Sequence, residues 1–264
     1  MKQTKLLAGR RGRDVLRIVP AALLACVLAV SCENPWVIKL TDSLVEEKDG
    51  PSRPTFSGPS AFAAFAAWLA AQPPNSPANP YTVKLNVDDL GGGADNPGSV
   101  GYTLFDSGKY VYLDLSGSNL TTIGVGAFFE CSNLTGITIP NSVTTIGSDA
   151  FIGCIKLSSV TIGNSVTAIK DYAFHQCFIL ISITIPASVT SIGVQAFSEC
   201  LSLTSVRFGS GSNITNANFG DLAFPEGSNG AGGDTLRTAY NSASAKAGTY
   251  TRPNTASTTW TKQP

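Results

Sequence analysis

The sequence is poor in the residues that catalysis and metal binding most often need. It has one histidine and no G-x-S-x-G, P-loop or H-E-x-x-H motif. That histidine, His175, takes a position that holds Phe129, Ile152 or Ser198 in equivalent segments, which indicates a surface variation. The candidate paired carboxylates fall at variable positions, as on a solvated face: Glu130, Asp149, Asp171 and Glu199. We therefore predict a non-enzymatic protein with no metal, no cofactor and no small-molecule substrate.

Most of the chain also lacks a strong excess of positive or negative charge. The 18 basic residues balance the 18 acidic ones, and six of the basic ones lie in the first 17 positions, so the remainder is mildly acidic. This distribution argues against nucleic acid as a partner. The composition instead contains 26 glycines, 15 prolines and many Ser and Thr residues, which favours turns and short strands over long helices.

No apolar run is long enough to span a bilayer comfortably. The longest, residues 18–30, follows the basic N-terminus and precedes small residues, which is the order of a secretory signal peptide. A transmembrane helix needs about 20 residues, so we predict that residues 1–31 are a removed signal. The alternative is a buried core segment, but such segments do not usually begin with a block of cations. Arg10 and Arg11 resemble a twin-arginine signal, yet Gly12 and Arg13 replace its apolar continuation, which favours the general secretory route.

The signal is followed by a cysteine, and the sequence becomes polar directly after it. The segment Ala29-Val30-Ser31-Cys32 resembles a bacterial lipobox, with Ala29 where that motif prefers Leu. The resemblance implies that Cys32 is acylated and becomes the membrane anchor. The residues before Cys26 match the lipobox more closely. Cleavage there would leave an apolar stretch on the mature chain, so Cys26 is the alternative. Residues 32–58, rich in proline and mixed charge, are predicted to be a flexible tether.

The centre of the chain repeats with a period of 23 residues. Residues 137–159, 160–182 and 183–205 follow one another without a gap, after a copy that begins at Leu113 and before a degenerate copy that begins at Val206. In each, I-T-I alternates as a strand, V-x-x-I is a second extended piece, and the following A-F-x-x-C predicts one tight helical or 3₁₀ turn. Such a unit cannot bury its own apolar face, so we predict a β-rich solenoid over residues 113–224.

The repeat pattern resembles a known family. The spacing L-x-x-I-x-I-P-x-x-V-x-x-I-G-x-x-A-F-x-x-C is similar to the BspA-like leucine-rich repeat, especially its 23-residue treponemal (spirochaete) variant. The resemblance implies a short right-handed stack of about four to five turns. It also implies an adhesin that binds host matrix proteins or other bacteria, although no residue-level binding motif of that family can be transferred here.

Two ladders of equivalent residues are predicted to form the core. Their members recur once per repeat: Cys131, Cys154, Cys177, Cys200, Phe128, Phe151, Phe174 and Phe197. Free cysteine is among the most buried residue types, so core packing is favoured over disulfides. Zinc binding is a third possibility, but zinc ligands usually occur in closely spaced pairs, and these cysteines are 23 residues apart.

The outward strand positions and their neighbours are the candidate ligand face. They are rich in hydroxyl groups: Thr135, Thr138, Ser158, Thr161, Ile181, Thr184, Thr204 and Arg207. Thr suits an exposed strand position on structural grounds alone, and solenoids also bind ligands along their strands, so both interpretations stand. The repeats alone give a face of only roughly 20 Å.

The two ends are predicted to close the stack. In the N-terminal capping region, residues 59–112, Ser60 is expected to cap a helix that ends before Pro73, with a strand over residues 81–87 and another over 109–115. The Gly-rich segment 91–98 is predicted to be a loop. In residues 225–264, a Gly-rich joint precedes a helix over residues 235–246 and a hairpin that turns at Pro253 and returns through Trp260. The whole predicts an exported, membrane-anchored lipoprotein, most simply on the outer surface, with a purely structural envelope protein as the rival.

Overall fold

A computed structural model describes residues 53–225, 235–244 and 246–264. The predicted signal peptide, Cys26, Cys32 and most of the predicted tether lie outside these ranges. Within them, no helix is both long and apolar enough to cross a membrane. We call residues 113–136, 137–159, 160–182, 183–205 and 206–224 coils 1 to 5.

The N-terminal region, residues 55–112, continues the sheet of the coils. Its elements are listed in chain order: β1 (Thr55–Ser57), α1 (Ala61–Ala71), β2 (Tyr81–Asn86), α2 (Val100–Ser107) and the start of β3 (Val111–Asp114). All three strands are parallel neighbours, and β3 pairs in turn with the first full strand of the repeats. β1 therefore lies in the sheet, although residues 32–58 were all predicted to be tether.

The two helices of this region differ in how far the sequence predicts them. α1 begins and ends where expected, but the Ser60 side chain makes no capping bond and only its carbonyl accepts the amide of Ala64, at 3.0 Å. α2 was not predicted. It starts at Ser99, whose hydroxyl accepts from the amide of Tyr102 at 3.0 Å, and ends at Gly108 in the left-handed conformation (φ 62°). These are ordinary cap signals, which the preceding glycine run obscured.

The predicted β-rich solenoid is confirmed, because each repeat contributes a strand to two separate walls. On the first wall lie β5 (Leu134–Thr138), β7 (Ser159–Thr161), β9 (Ser182–Ile185) and β11 (Ser205–Phe208). The second wall is an unbroken parallel sheet of β4 (Thr122–Ile123), β6 (Thr145–Ile146), β8 (Ala168–Ile169) and β10 (Ser191–Ile192). The inward Ile, Val and Leu side chains of both walls are buried between them, except that Val160 is half-buried.

The third wall differs from the predicted helical turn. Bonds to the residue three back occur, as from the Cys154 amide to the Phe151 carbonyl at 3.2 Å. However, coil 2 passes through the left-handed region at Asp149 (φ 57°) and again at Gly153 (φ 71°), so no helix forms. Amides of this wall pair instead with the next coil, as from Phe151 to the carbonyl of Ala173 at 2.8 Å.

The phenylalanines stack through the centre of the coils, as predicted. Successive rings from Phe128 to Phe197 are 5.1, 4.9 and 5.0 Å apart and tilted by only 8°, 6° and 5°. Phe224 of coil 5 adds a fifth ring, 4.8 Å from Phe197. The degenerate copy therefore still contributes to the core.

The C-terminal cap, described residues 235–264, closes the other end. It consists of α3 (Thr235–Ser242), β12 (Gly248–Thr251) and β13 (Thr261–Lys262), after a 3₁₀ turn at Asn216–Asn218. β12 pairs antiparallel with β11, and β13 pairs antiparallel with β12. The predicted helix and hairpin are confirmed, but the helix ends at Ser242 and the return strand lies just beyond Trp260.

Candidate ligand face

The outward residues of the first wall form one row across the N-terminal region, the coils and the C-terminal cap. Strand register aligns Thr55, Lys84, Asp114, Thr138 and Thr161 on one side, and Thr184, Arg207 and Thr249 on the other; the 23-residue repeat places Thr184 next to Thr161. We call these eight residues the outward row. With strands about 4.8 Å apart, the row extends over roughly 35 Å. The face is thus longer than the repeats alone predict, because both ends contribute strands.

A tyrosine covers the N-terminal end of the ligand face that was predicted from the repeats. The Tyr112 hydroxyl lies 3.0 Å from the Thr138 hydroxyl, and its ring crosses Gly136, where an added Cβ would come within 2.4 Å of Tyr112 Cδ2. Gly136 is therefore required for this contact. Thr138 is half-buried as a result, whereas Thr161, Thr184 and Arg207 are exposed. The accessible part of the predicted face lies in coils 3 and 4 and at the start of coil 5.

The residues just before the strands behave differently from prediction. Thr135 is only 6% exposed and donates its hydroxyl to the carbonyl of Val111 at 3.1 Å, so its assignment to the ligand face was wrong. Ser158 is exposed but donates to the carbonyl of Thr135 at 3.1 Å. Thr204 is half-buried, and Ile181 alone projects strongly, with 61% of its surface exposed. Thr135 and Ser158 therefore tie neighbouring strands together, whereas Ile181 presents an apolar surface.

The first wall is split between β7 and β9. β5 pairs with β7 and β9 pairs with β11, but no register joins β7 to β9, and they belong to different sheets. Side-chain burial agrees, since Val160 of β7 is half-buried while its equivalents Ile137, Ile183 and Val206 are buried. The second wall stays paired across the same two coils, through β8 and β10. The opening is confined to the strand face.

Proline removes one backbone bond at this split but does not by itself open it, since Pro140 holds the equivalent position in coil 2, where β3 and β5 pair. Between β9 and β11, the Gly209 amide donates to the carbonyl of Ile185 at 2.9 Å. One coil earlier the equivalent donor is Pro186, which has no N–H, so the corresponding bond to Ile162 cannot form. The rest of the two strands, SVTI and SITI, is nearly identical, and nothing in them accounts for the opening.

A depression of about 530 Å³ lies along the split. Its polar lining is Thr161, Asn164, Thr184, Arg207 and Ser210, and its remaining lining is Val160, Ile162, Pro186, Ala187 and Gly209. Arg207 is the one charged residue among them. The structure therefore brings three of the eight predicted face residues into one site: Thr161, Thr184 and Arg207.

The cysteine ladder lies in the core, but its thiols are more than space-filling groups. All four are buried thiols. Three donate to the Phe carbonyl of the coil before, as Cys154 to Phe128 at 3.1 Å, and Cys131 donates to the carbonyl of Gly101 in α2 at 3.3 Å. Burial raises the pKa of the Cys131 thiol to about 12 and the pKa of Cys154 and Cys177 well above the ordinary range, so these thiols stay protonated and unreactive.

The described residues contain no group of three or more His, Cys, Asp or Glu side chains that could hold a metal. His175 is half-buried and lies edge-on to Tyr172, with ring centroids 5.7 Å apart. The sequence missed four members of the outward row, Thr55, Lys84, Asp114 and Thr249, together with Tyr112. Alternation within each strand could have placed them, but only the strand pairing shows that they join one face.

Comparison with known proteins identifies the repeat. The family model described as "BspA type Leucine rich repeat region" matches residues 99–225 in six copies. Its span begins in the N-terminal region and ends at Pro225, the first residue of the Gly-rich joint. Among curated proteins, none matches the chain.

Several solved bacterial structures are similar. A T. pallidum leucine-rich repeat protein is 30% identical over 44% of this chain and 55% of its own, with a TM-score of 0.40. A leucine rich cell surface protein from Faecalibacterium prausnitzii A2-165 is 28% identical over 52% of this chain and 41% of its own, with a TM-score of 0.37. The chain thus spans about half the length of these proteins or less.

Proposed function

Residues 99–225 of this chain are a BspA-type leucine-rich-repeat region, and from that premise we propose that the protein is a lipid-anchored, non-enzymatic binding module of the bacterial cell envelope. Its ligand is a protein, either of the host matrix or of another bacterial surface. The observation that carries the proposal is the outward row, which offers hydroxyl groups and one unpaired cation on exposed strands of coils 3 to 5.

The strand face suits protein binding for a physical reason. The walls are held by parallel backbone ladders, so the outward side chains are fixed at regular intervals before a ligand arrives. Preorganised side chains lose little conformational entropy on binding, which favours affinity from a small surface. Leucine-rich-repeat proteins generally mediate protein–protein interactions, which agrees with this use of the face.

The anchoring part of the proposal rests on the sequence around Cys32. In a bacterium that expresses the full chain, labelled palmitate should enter the protein, and Cys32→Ala should abolish the labelling and release the protein from the membrane fraction. Cys26→Ala is the matched control and should leave labelling unchanged. The reverse result would make Cys26 the acylated residue, and labelling of neither would remove the anchor from the proposal.

Binding is tested with full-length protein and immobilised fibronectin, laminin and collagen, beside whole bacterial cells. We expect saturable binding to at least one, and loss of binding in Thr184→Glu, which places a charge in the outward row. Thr190→Glu is the matched control, because Thr190 is exposed in the same coil but lies beside the second wall. Equal effects of the two changes would contradict use of the strand face.

Protease accessibility on intact cells distinguishes a surface binding module from a purely structural envelope protein. Protease added to intact cells should degrade a surface binding module. If intact cells protect the protein while lysed cells lose it, the adhesion proposal fails and a structural envelope role takes its place.

A further inference from the structure

We propose that the split between β7 and β9 is the specific docking point for an acidic, extended segment of the protein ligand, with Arg207 pairing with its carboxylate. This inference rests on the proposed function and names the chemistry of its site. Three features of the depression support it: its charge, its hydrogen-bonding groups and its position on the face.

The charge of the depression is uncompensated. Arg207 lies between two neutral residues in the outward row, Thr184 and Thr249, and no carboxylate lines the depression. Within the described residues, Arg207 has neither a hydrogen-bonded nor an ionic partner, whereas Arg237 pairs with Asp221 at 2.7 Å. A guanidinium has a donor fork that matches a carboxylate in two parallel bonds, which makes an acidic side chain the complementary ligand.

The hydrogen-bonding groups of the depression are also unused. Exposed hydroxyls on both sides of the split, Thr161 and Thr184, have no partner among the described residues, and Asn164 uses only its backbone amide, which donates to Asn141 at 2.8 Å. Since β7 and β9 do not pair, the backbone groups along their facing edges lack the partners that the other strands have. The Cα atoms of β7 and β9 still approach within 8 Å, so an extended segment would lie over the face and offer its carbonyl and amide groups to the Thr161, Thr184 and Asn164 side chains, without inserting between the strands.

The position of the split favours a side chain that enters from the open face. The second wall stays paired across the same two coils, so the opening lies on the strand face alone. Val160, Ile162 and Pro186 give the depression an apolar lining around the polar groups. These apolar side chains can contact the stem of an acidic side chain whose carboxylate pairs with Arg207.

The probe is a fluorescein-labelled hexaglutamate peptide, with hexaglutamine and hexalysine as controls, measured by anisotropy against the full chain. We expect hexaglutamate to bind at least about tenfold more tightly than hexaglutamine at low salt, and binding to weaken as salt rises. Arg207→Gln should reduce hexaglutamate binding at least about tenfold, since it removes a charge-assisted bidentate pair. Lys170→Gln, an exposed cation of the same solenoid, should leave binding unchanged.

A second variant tests the split without touching the charge. Pro186→Gly supplies the missing donor and copies the glycine that coils 3 and 5 have in this position, Gly163 and Gly209. We expect the amides of β7 and β9 to exchange more slowly with solvent, and hexaglutamate binding to fall although Arg207 is intact. Should exchange slow while peptide affinity is kept, the split is not the site. Should this variant fail to fold, the Arg207 comparison decides alone.

The outcomes for this site and for the proposed function are separable. If Arg207→Gln binds hexaglutamate as well as the unchanged chain does, or if hexaglutamate and hexaglutamine bind alike, the docking site is refuted. Loss of matrix binding in Thr184→Glu would then still support the strand face as the binding surface. Failure of both assays overturns the function together with the site.

Discussion

In coils 1 to 4 equivalent positions hold the same residues, whereas the C-terminal cap is built from side chains that occur there once. Phe151, Phe174 and Phe197 each stack between two Phe rings at about 5 Å. In the cap, Tyr240 packs against Phe208 at 4.5 Å and accepts the amide of Ile214 on its hydroxyl at 3.0 Å. The coils therefore spread their stability over many equal contacts, and the cap concentrates it in a few unequal ones.

Arg252 shows this concentration best. Its guanidinium is 3% exposed and donates to four carbonyls, those of Leu203, Leu201, Thr255 and Ser257, at 2.7 to 3.3 Å. It also lies 5.4 Å from the ring of Trp260. One side chain thus joins the last complete coil to the hairpin, which is a role that no single residue has inside the coils.

The largest effect is expected in the middle of the phenylalanine stack. Phe174→Ala should lower the free energy of unfolding by about 4 kcal/mol, because the change leaves a cavity between two buried rings. Chemical denaturation measures it. Phe224→Ala, at the end of the stack, is the comparison and should cost less. Equal losses would show that the coils do not share their stability through stacked neighbours.

Arg252→Ala should cost about 3 kcal/mol, since buried carbonyls lose a charged donor. Hydrogen exchange should show faster exchange of the β12 and β13 amides, with the coil amides near their original rates. Arg252→Lys keeps the charge but not the fork of donors, and should recover only part of the loss. If the coil amides lose protection equally, the cap and coils unfold as one unit and the contrast between them disappears.

The cysteine ladder predicts a pH dependence that belongs to the coils. The pKa of Cys131 is raised from 9.0 to about 12 by burial, so the unfolded chain loses this proton near pH 9 while the folded chain keeps it. Stability is then complete below pH 9 and falls above it, by up to about 1.4 kcal/mol per pH unit for each such thiol. Denaturation between pH 8 and 10.5 measures the slope, and Cys131→Ala should make it shallower. An unchanged slope would mean that Cys131 does not contribute.

The smallest effect concerns backbone strain within the coils. Gln195 has a left-handed backbone (φ 53°) at a position where coil 1 has Gly126 (φ 60°). Gln195→Gly should raise stability by about 0.5 kcal/mol, because glycine adopts this conformation without a Cβ clash. Gln195→Ala keeps the Cβ and should give no gain in thermal denaturation. A gain from both changes would point to the side chain instead.

The sequence predicts the coils far better than it predicts the site. A 23-residue period repeats each packing environment, so the buried ladder of Phe128 to Phe197 can be read from the spacing alone. Thr135 shows the limit, because its burial depends on a carbonyl of β3 that the spacing does not place. The split is harder still, since β7 and β9 have almost the same sequence and Pro186 has a counterpart, Pro140, in a coil whose strand pairs. The 23-residue period therefore predicts the features that the coils share, and it does not predict the split, which occurs between only two of them.

The antiparallel pairing of β12 with β11 also bears on how such proteins change length. Successive coils pair in parallel through equivalent residues, so a further 23 residues placed between coils 2 and 3 would find the same pairing partners on both sides. The reversed hairpin cannot be copied in this way and ends the series. Recombination between in-register copies can therefore lengthen or shorten the ligand face while both ends of the molecule are inherited unchanged.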